Sequence, residues 1–437
     1  MEARKEDAMT TMTPPGSRRT RAADTRRRIV AAARELFVAN GYRSTSLRDI
    51  ATAASVSHPG LLGHFPSKDA LLAEVVGEFE AENEAVFSDI AAASEPGELM
   101  FARLAERNAR TPGYLELFAA LTGEASAAGH PAHERMQARY ARLRSLSRDV
   151  LQDAQHLGAI ASERDVDGEI TRHTAGWDGL QLLAQYLPDQ VDVVEMLEER
   201  EAQWALPTSW RDPDEQAPAP EPSGPLPIPF GGEVLSGEPL DAEAGYAVGR
   251  RRRTQIVADA MRLFSRDGYG DTSLRDIAEA VGVSKSTLLH HYPTKELLLS
   301  AVLSERDNAI RERGEVLSSD RAGDLLRGLP DGARVNAQSE PGLVEVYAVL
   351  SCEAVPASHP AHDYFTNRFS SAISYFTELF RLAQVDGDLP AHRDPAHEAL
   401  WLIAMWDGLQ YQWLYDREAV DVAAHLRAHL EDVLPVR

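Results

Sequence analysis

The sequence predicts an all-α protein written twice: two copies of an N-terminal helix-turn-helix three-helix domain, each followed by a helical-bundle domain. Three observations predict it. Residues 25–76 and 252–303 superpose at a constant offset of 227 without a gap, with 27 identities in 52 positions. Apolar residues recur at helical spacing, as in Ile29, Ala32, Ala33, Leu36 and Phe37 or Ile256, Ala260, Leu263 and Phe264. Strand signals are nearly absent.

The repeat continues beyond the heads. HPAH at His130–His133 recurs at His359–His362, and WDGLQ at Trp177–Gln181 recurs at Trp406–Gln410, both at an offset of 229. A period of that length is too long for a solenoid unit and marks a duplicated two-domain protein. The expected layout is a disordered tail over 1–20, a head over 21–77 and a helical domain over 78–205. A Pro- and Gly-rich linker over 206–248, a second head over 249–304 and a second helical domain over 305–437 follow.

Each head reads as four elements. The first helix stops at Gly41 or Gly268, glycines suited to a left-handed C-cap. Thr45 or Ser46, and Thr272 or Ser273, can N-cap a second helix over 47–54 or 274–281. Ser57 and Ser284 can cap a third helix running to His64 or His291; Pro66 and Pro293 break it, and Lys68 and Lys295 open a fourth. Two short helices after a longer one make a helix-turn-helix with the third as reading element.

Composition bounds the function. The chain has 437 residues, 43% of them hydrophobic, and a formal charge of −23, which argues against a uniformly basic coat for nucleic acid. One cysteine, Cys352, leaves no disulfide framework and no cysteine-based zinc or iron–sulfur cluster. No apolar stretch is long enough to span a membrane, and the N-terminus is too charged for a secretory signal, so a cytoplasmic protein is expected, nucleoid-associated if it binds DNA. Residues 17–76 carry ten basic and five acidic groups and residues 249–303 carry nine and six, leaving about −31 for the rest. Positive charge is thus focused on the heads, in Arg18, Arg19, Arg21 and Arg26–Arg28 and in Arg250–Arg253, where it suits phosphate or minor-groove contact.

The run from GY-x-x-TSLRDIA through VS to HFPSK and HYPTK resembles the DNA-binding domain of the TetR family of transcriptional repressors. The helical C-terminal portions are more loosely similar to that family's ligand-binding and dimerisation domain. The resemblance implies phosphate contacts from Thr45 and Thr272 at the start of the second helix, and base or phosphate contacts from Arg48 and Arg275. Base readout would come from the third helices: Ser57, His58, Pro59, Gly60 and Gly63 in one, Ser284, Lys285, Ser286, Thr287 and His290 in the other. His64, His291, Lys68 and Lys295 would anchor phosphates. The sequence departs from the pattern at Leu62 and Leu289, where a tyrosine is common, and Gly60 and Gly63 weaken the first reading helix by ~0.8–1 kcal/mol each. The two heads should therefore read different bases, the second supplying more of the specificity.

In the family the last two long helices form a four-helix interface between subunits, so the two copies are expected to pack on each other through the WDGLQ helices, with Gly179 and Gly408 allowing close approach. The alternative is that Trp177 and Trp406 are plain core. HPAH offers two imidazoles and no third ligand, so no metal and no cofactor are expected; Pro131 should start a helix with His130 near its cap. An effector pocket is expected in each bundle, for an apolar or aromatic small molecule. Its candidates are Tyr114, Phe118, Tyr140, Trp177 and Tyr186 in copy one, and Tyr347, Phe365, Phe369, Phe376, Trp406 and Tyr415 in copy two.

The reading reached is a ligand-responsive repressor, an intramolecular pseudo-dimer on a quasi-palindromic DNA operator, with further dimerisation of the chain open. One alternative has a single DNA-binding head and a structural partner lobe. Another is a small-molecule-binding or enzymatic helical protein; no phosphate loop, nucleophile elbow or zinc motif supports catalysis.

Overall fold

A computed structural model describes residues 15–42, 45–111, 113–215, 224–228, 247–314, 319–339 and 341–435. Every regular element among them is a helix, and the chain divides into two compact units, 1–81 and 82–437.

The first unit holds α1 (Pro15–Asn40), α2 (Leu47–Ala53), α3 (His58–Leu62) and the start of α4 (Lys68–Ala93). Helix α1 begins at Pro15, so residues 15–20 are helical where a disordered tail was expected; residues 1–14 lie outside the described residues. It ends before Gly41, whose φ of 79° only glycine adopts freely. Ile29, Ala33, Phe37, Ile50, Leu61 and Phe65 close over Leu71, Leu72, Val75 and Phe79 to form one small core.

The second unit contains two bundles and the second head. Copy one supplies α5 (Phe101–Ala109), α6 (Tyr114–Glu124), α7 (His133–His156), α8 (Val166–Tyr186) and α9 (Val193–Gln203). The second head is α10 (Ala247–Asp271, broken at Gly268 with φ 78°), α11 (Leu274–Val281), α12 (Lys285–His291) and α13 (Lys295–Gly314). Copy two's bundle is α14 (Ala322–Ser339), α15 (Pro341–Glu353), α16 (His362–Val385), α17 (Pro395–Tyr415) and α18 (Val422–Val433). The expected boundaries at 77/78 and 304/305 fall inside α4 and α13, which run unbroken through them.

Helices α8 and α17 make the most extensive packing in the chain. A Cβ on Gly179 would stand 1.9 Å from the Ala404 carbonyl oxygen, and one on Gly408 would stand 1.9 Å from the Ala175 carbonyl oxygen. These are the same contact read from each copy, since both residue pairs are 229 apart. The approximate twofold extends outward. Tyr415 donates to the Thr122 carbonyl at 2.8 Å, and Tyr186 donates to the Ser351 carbonyl. His133 stacks on Tyr415 with ring centroids 5.4 Å apart, and His362 stacks on Tyr186 at 5.3 Å.

The repeated HPAH has a structural role. His130 Nδ1 accepts the Ala132 N–H at 3.2 Å, and His359 Nδ1 accepts the Ala361 N–H at the same distance. Helix α7 starts at His133 rather than at Pro131, with Ala132 as its cap residue. The second histidine of each motif serves both copies: Nδ1 of His133 and of His362 bonds the Ala125 and Ala354 carbonyls of its own copy at 2.8 and 3.0 Å, while the ring face stacks on the other copy's tyrosine.

The linker is shorter than expected. Residues 206–215 run along copy two: Arg211 donates to the Gly387 and Asp388 carbonyls at 2.7 and 2.6 Å, and the Ser209 N–H donates to Asp432 at 2.7 Å. The guanidinium supplies donors to two carbonyls of the turn that follows α16, a need that composition does not reveal. The proline-rich core of the linker, 216–223, lies outside the described residues.

Candidate functional site

Both heads build their helix-turn-helix from the same local chemistry. The Ser46 hydroxyl accepts the Asp49 N–H at 3.2 Å while Asp49 accepts the Ser46 N–H at 3.1 Å, a closed capping box. Ser273 and Asp276 repeat it at 3.2 and 2.9 Å. Hydrogen bonds from the serine hydroxyl and N–H hold each aspartate below the usual carboxylate range. Ser57 then caps α3 through the Gly60 N–H, and Ser284 caps α12 through the Thr287 N–H, both at 3.1 Å.

The reading helices differ. Helix α12 keeps seven residues, with Lys285, Ser286, Thr287 and His290 exposed; Ser284 Oγ lies 2.8 Å from both the Ser286 and Thr287 hydroxyls. Helix α3 has five residues and stops at Leu62, short of the expected His64; the Gly63 and Phe65 N–H groups still donate to the Pro59 and Leu61 carbonyls at 3.1 and 2.9 Å, and glycine at 60 and 63 lowers the helix propensity of this turn. Ser57, Pro59, Gly60 and Gly63 are exposed or partly so, His58 is half-buried, and Leu62 faces solvent at 39%. The turn before α3 puts Ser55 at φ 53°, where the second head has Gly282 at φ 72°. Arg48 and Arg275 are exposed; His64 and His291 are half-buried, and burial, with His290, Arg253 and Arg252, lowers the His291 pKa.

Four residues expected to contact phosphate direct their polar groups within the head. Thr45 and Thr272 are each only 2% exposed, and their hydroxyls donate inward, to Gly41 at 2.9 Å and to Gly268 at 2.7 Å. Ser46 and Ser273, one residue on, take the cap instead. Lys68 lies over the Tyr42 ring and donates to the Tyr42 and Thr45 carbonyls at 3.0 and 3.1 Å, pinning α4 to the α1–α2 turn. Lys295 does the same over Tyr269, donating to the Gly270 carbonyl at 3.3 Å.

The arginine cluster divides as well. Arg26 pairs with Glu74 at 2.8 Å and covers Phe65, while Arg28 donates to the Ala54 and Ser55 carbonyls at the end of α2. Arg21 remains exposed and Arg27 largely so; the side chains of Arg18, Arg19 and Arg250 lie outside the described residues. Arg28→Ala is therefore expected to cost ~1–2 kcal/mol without DNA, as a charged hydrogen bond to backbone does, whereas Arg48→Ala leaves the melt unchanged. Thermal denaturation of the two variants, with hydrogen exchange at the α2 amides, separates the roles.

The second head is tied to its bundle. Glu353, the last residue of α15, accepts the Tyr269 N–H at 2.6 Å and the Gly270 N–H, and His359 meets the Tyr269 ring edge-on at 5.1 Å. Inside the bundles most of the aromatic candidates are spent on one another or on the seam. Tyr114 packs on Phe118 at 4.6 Å, and Tyr140 donates to Asp178 at 2.8 Å. Tyr347 packs on Phe365, and Phe376 on Tyr375. Tyr186, Phe365 and Phe369 form one cluster across the two copies, and Tyr415 crosses it the other way. Trp177 and Trp406 are half-buried, packed on the core.

Comparison with known proteins agrees with this geometry. The model for bacterial regulatory proteins of the tetR family matches residues 29–75 and again 256–302, and the C-terminal model of BetI-type transcriptional repressors matches 362–435. The chain belongs to the TetR family. It carries that family's DNA-binding domain twice. The HTH-type transcriptional repressor KstR2 of Rhodococcus jostii is 31% identical over 111 residues, 25% of this chain and 46% of that protein. The HTH-type transcriptional regulator RutR of Escherichia coli K12 is 43% identical over 54 residues, 12% of this chain and 26% of that one. The matched stretches thus span less than half the length of these curated relatives. The structure of Salmonella enterica GusR is 24% identical with a TM-score of 0.35, covering 43% of this chain and 97% of that one. TetR-family proteins and these relatives are transcriptional regulators, not enzymes. No helix of the described residues is long and apolar enough to cross a membrane.

Proposed function

We propose that the chain is a ligand-responsive transcriptional repressor, in which the two copies act as an intramolecular pseudo-dimer on a quasi-palindromic DNA operator. The observation that carries the reading is the pair of capped helix-turn-helix heads, each presenting an exposed arginine on its second helix and an exposed third helix. The self-complementary packing of α8 on α17 supports the pseudo-dimer, because it has the form of a twofold subunit interface built within one chain. The Glu353 and His359 contacts support a response to an effector, since a shift of α15 would move the second head.

The dissimilar reading helices favour unequal half-sites, about one helical turn apart. Lys285 and the hydroxyls of Ser286 and Thr287 offer base contacts of a kind that His58, Pro59 and Gly60 do not. A gel shift on the DNA upstream of the coding region, repeated across salt concentrations, is the test. Lys285→Ala is expected to weaken binding by ~1–3 kcal/mol and relax the sequence preference of one half-site. Arg48→Ala is expected to weaken binding more uniformly and flatten the salt dependence. Retention of full affinity by both variants, or binding without sequence preference, would count against the proposal.

A further inference from the structure

We infer that the seam between the two copies holds a binding site for one compact, uncharged, hydrogen-bonding small molecule. A cavity of about 220 Å³ opens where the end of α9 and the start of α8 meet α17 and α18. Its floor is polar and buried: Arg172, His173 and Arg200 from copy one, His429 and Asp432 from copy two, with Trp204 and Trp401 as apolar walls. The volume exceeds the 150 Å³ or so that holds a benzene ring and falls short of a drug-sized pocket, so it suits a ligand of roughly five to ten non-hydrogen atoms.

The hydrogen-bond ledger of the floor selects the chemistry. Every guanidinium there already has a carboxylate: Arg164 has Glu169 at 2.8 Å and Asp432 at 3.4 Å, Arg172 has Glu169 at 3.2 Å, and Arg200 has Glu398 at 3.1 Å. Asp432 and Glu398 also pair with Arg393, so four guanidiniums share three carboxylates, and each cation already spends its charge on a bound partner rather than on an incoming ion. At the rim Glu163, Asp165 and Glu431 are exposed carboxylates, which disfavour an anion further. What remains without a partner among the described residues is mostly neutral. Both ring nitrogens of His173, itself 3% exposed, meet none, nor do His429 Nε2 and Arg200 Nε. A neutral imidazole offers one donor and one acceptor, so this set asks for a molecule carrying both.

The duplication adds an independent argument. Seam residues that close the helices together are the same in both copies: Gly179 and Gly408, Ala175 and Ala404, Tyr186 and Tyr415, His133 and His362. The cavity mixes both kinds. Arg164, Asp165 and Glu169 match Arg393, Asp394 and Glu398, whereas His173 corresponds to Leu402, Arg172 to Trp401 and Arg200 to His429, so the groups left without partners come from positions where the copies have diverged. Two identical chains could not place Arg200 and His429 at such paired positions; a fused pair can. The site lies outside the interiors of the two bundles and is independent of DNA binding.

The test uses the full chain with isotope-labelled histidine, observed by NMR while pyrazole, a neutral ring with one donor and one acceptor, is titrated to millimolar concentration. The expected result is a saturable displacement of the His173 and His429 ring signals, with acetate and guanidinium producing none. His173→Leu, which places on α8 the side chain that α17 carries at the matching position, is expected to weaken pyrazole binding at least tenfold while the far-ultraviolet circular dichroism is retained. If that variant does not fold, a crystal soaked in pyrazole decides, density for the ring beside His173 being expected. Unmoved histidine signals, equal displacement by the charged probes, undiminished binding to a folded His173→Leu chain, or a soaked cavity holding water alone would overturn the inference.

Discussion

Replacing Gly179 by leucine is expected to open the packing of α8 on α17 and to destabilise the chain more than any exposed substitution. The obstacle is backbone: a Cβ at this position meets the Ala404 carbonyl oxygen at 1.9 Å, and its carbonyl carbon and Cα at 2.5 and 2.6 Å. No rotamer change relieves it; the helix axes must separate, taking Leu180, Leu183, Ala404 and Leu409 out of contact. Overpacking of a core by flexible side chains costs ~1–3 kcal/mol, and a rigid obstacle puts even Gly179→Ala at the upper end, about 3 kcal/mol. A loss of that size lowers the melting temperature by roughly 4 °C in a unit as long as 82–437, at ~2.1 cal/mol/K of unfolding entropy per residue, and leucine adds to it. Gly408→Ala should cost the same, because its Cβ meets the Ala175 carbonyl at the same distance. The double variant should cost less than the sum, since separating the axes for one Cβ relieves the other. Gly129→Ala, with no atom within 4 Å of its added Cβ, is the control and should not move the melt. Additive losses, or a Gly179→Ala chain that melts with the parent, would contradict the close approach.

How much of this was legible in the sequence depends on whether the controlling interaction is local. The caps at Ser46, Ser57, Ser273 and Ser284 span three residues, and spacing alone locates them. Gly41 and Gly268 are equally legible, because a glycine directly after an apolar helical run can take the left-handed conformation that ends it, and both do. Thr45 and Lys68 mislead for the opposite reason. Their residue types suit phosphate, but whether a hydroxyl or ammonium faces outward depends on the Gly41 carbonyl and the Tyr42 ring, which only the folded head supplies. The repeated HPAH was visible and its meaning was not: His133 and His362 act on Tyr415 and Tyr186, well over a hundred residues away. Its identity in both copies was the available signal, since a cap alone tolerates many residues. Arg211 gave no signal at all, because a single arginine in a polar run looks the same whether solvated or docked.

Acid should weaken the second unit well above the carboxylate range, and His173→Leu should remove a large part of that loss. His173 lies among Phe101, Trp204 and Trp401 with Arg200 beside it, and burial, reinforced by that guanidinium, pushes its pKa down to about 3. His429, facing Arg200, Glu398, Arg393 and Asp432, is likewise held at about 3, chiefly by burial. An unfolded chain protonates such residues below about pH 6.5, whereas the folded chain leaves both neutral, so the unfolded state binds more protons and stability falls as pH falls. Between pH 7.5 and 4.5 each buried imidazole contributes a loss of roughly 2–3 kcal/mol. Asp407 works in the other direction. Burial raises its pKa to about 7 despite Arg306 and Arg368, so its contribution is present in acid and lost as pH rises through 7. Glu398, held at about 2 by Arg200 and Arg393 against its burial, adds no slope until the pH drops below about 4.5. Denaturant melts at the two pH values should thus give His173→Leu a flatter dependence than the parent and Asp407→Asn a steeper one. Parallel curves for the parent and His173→Leu would mean that the ring is solvated in the folded chain, and the buried floor of the seam would have to be redrawn.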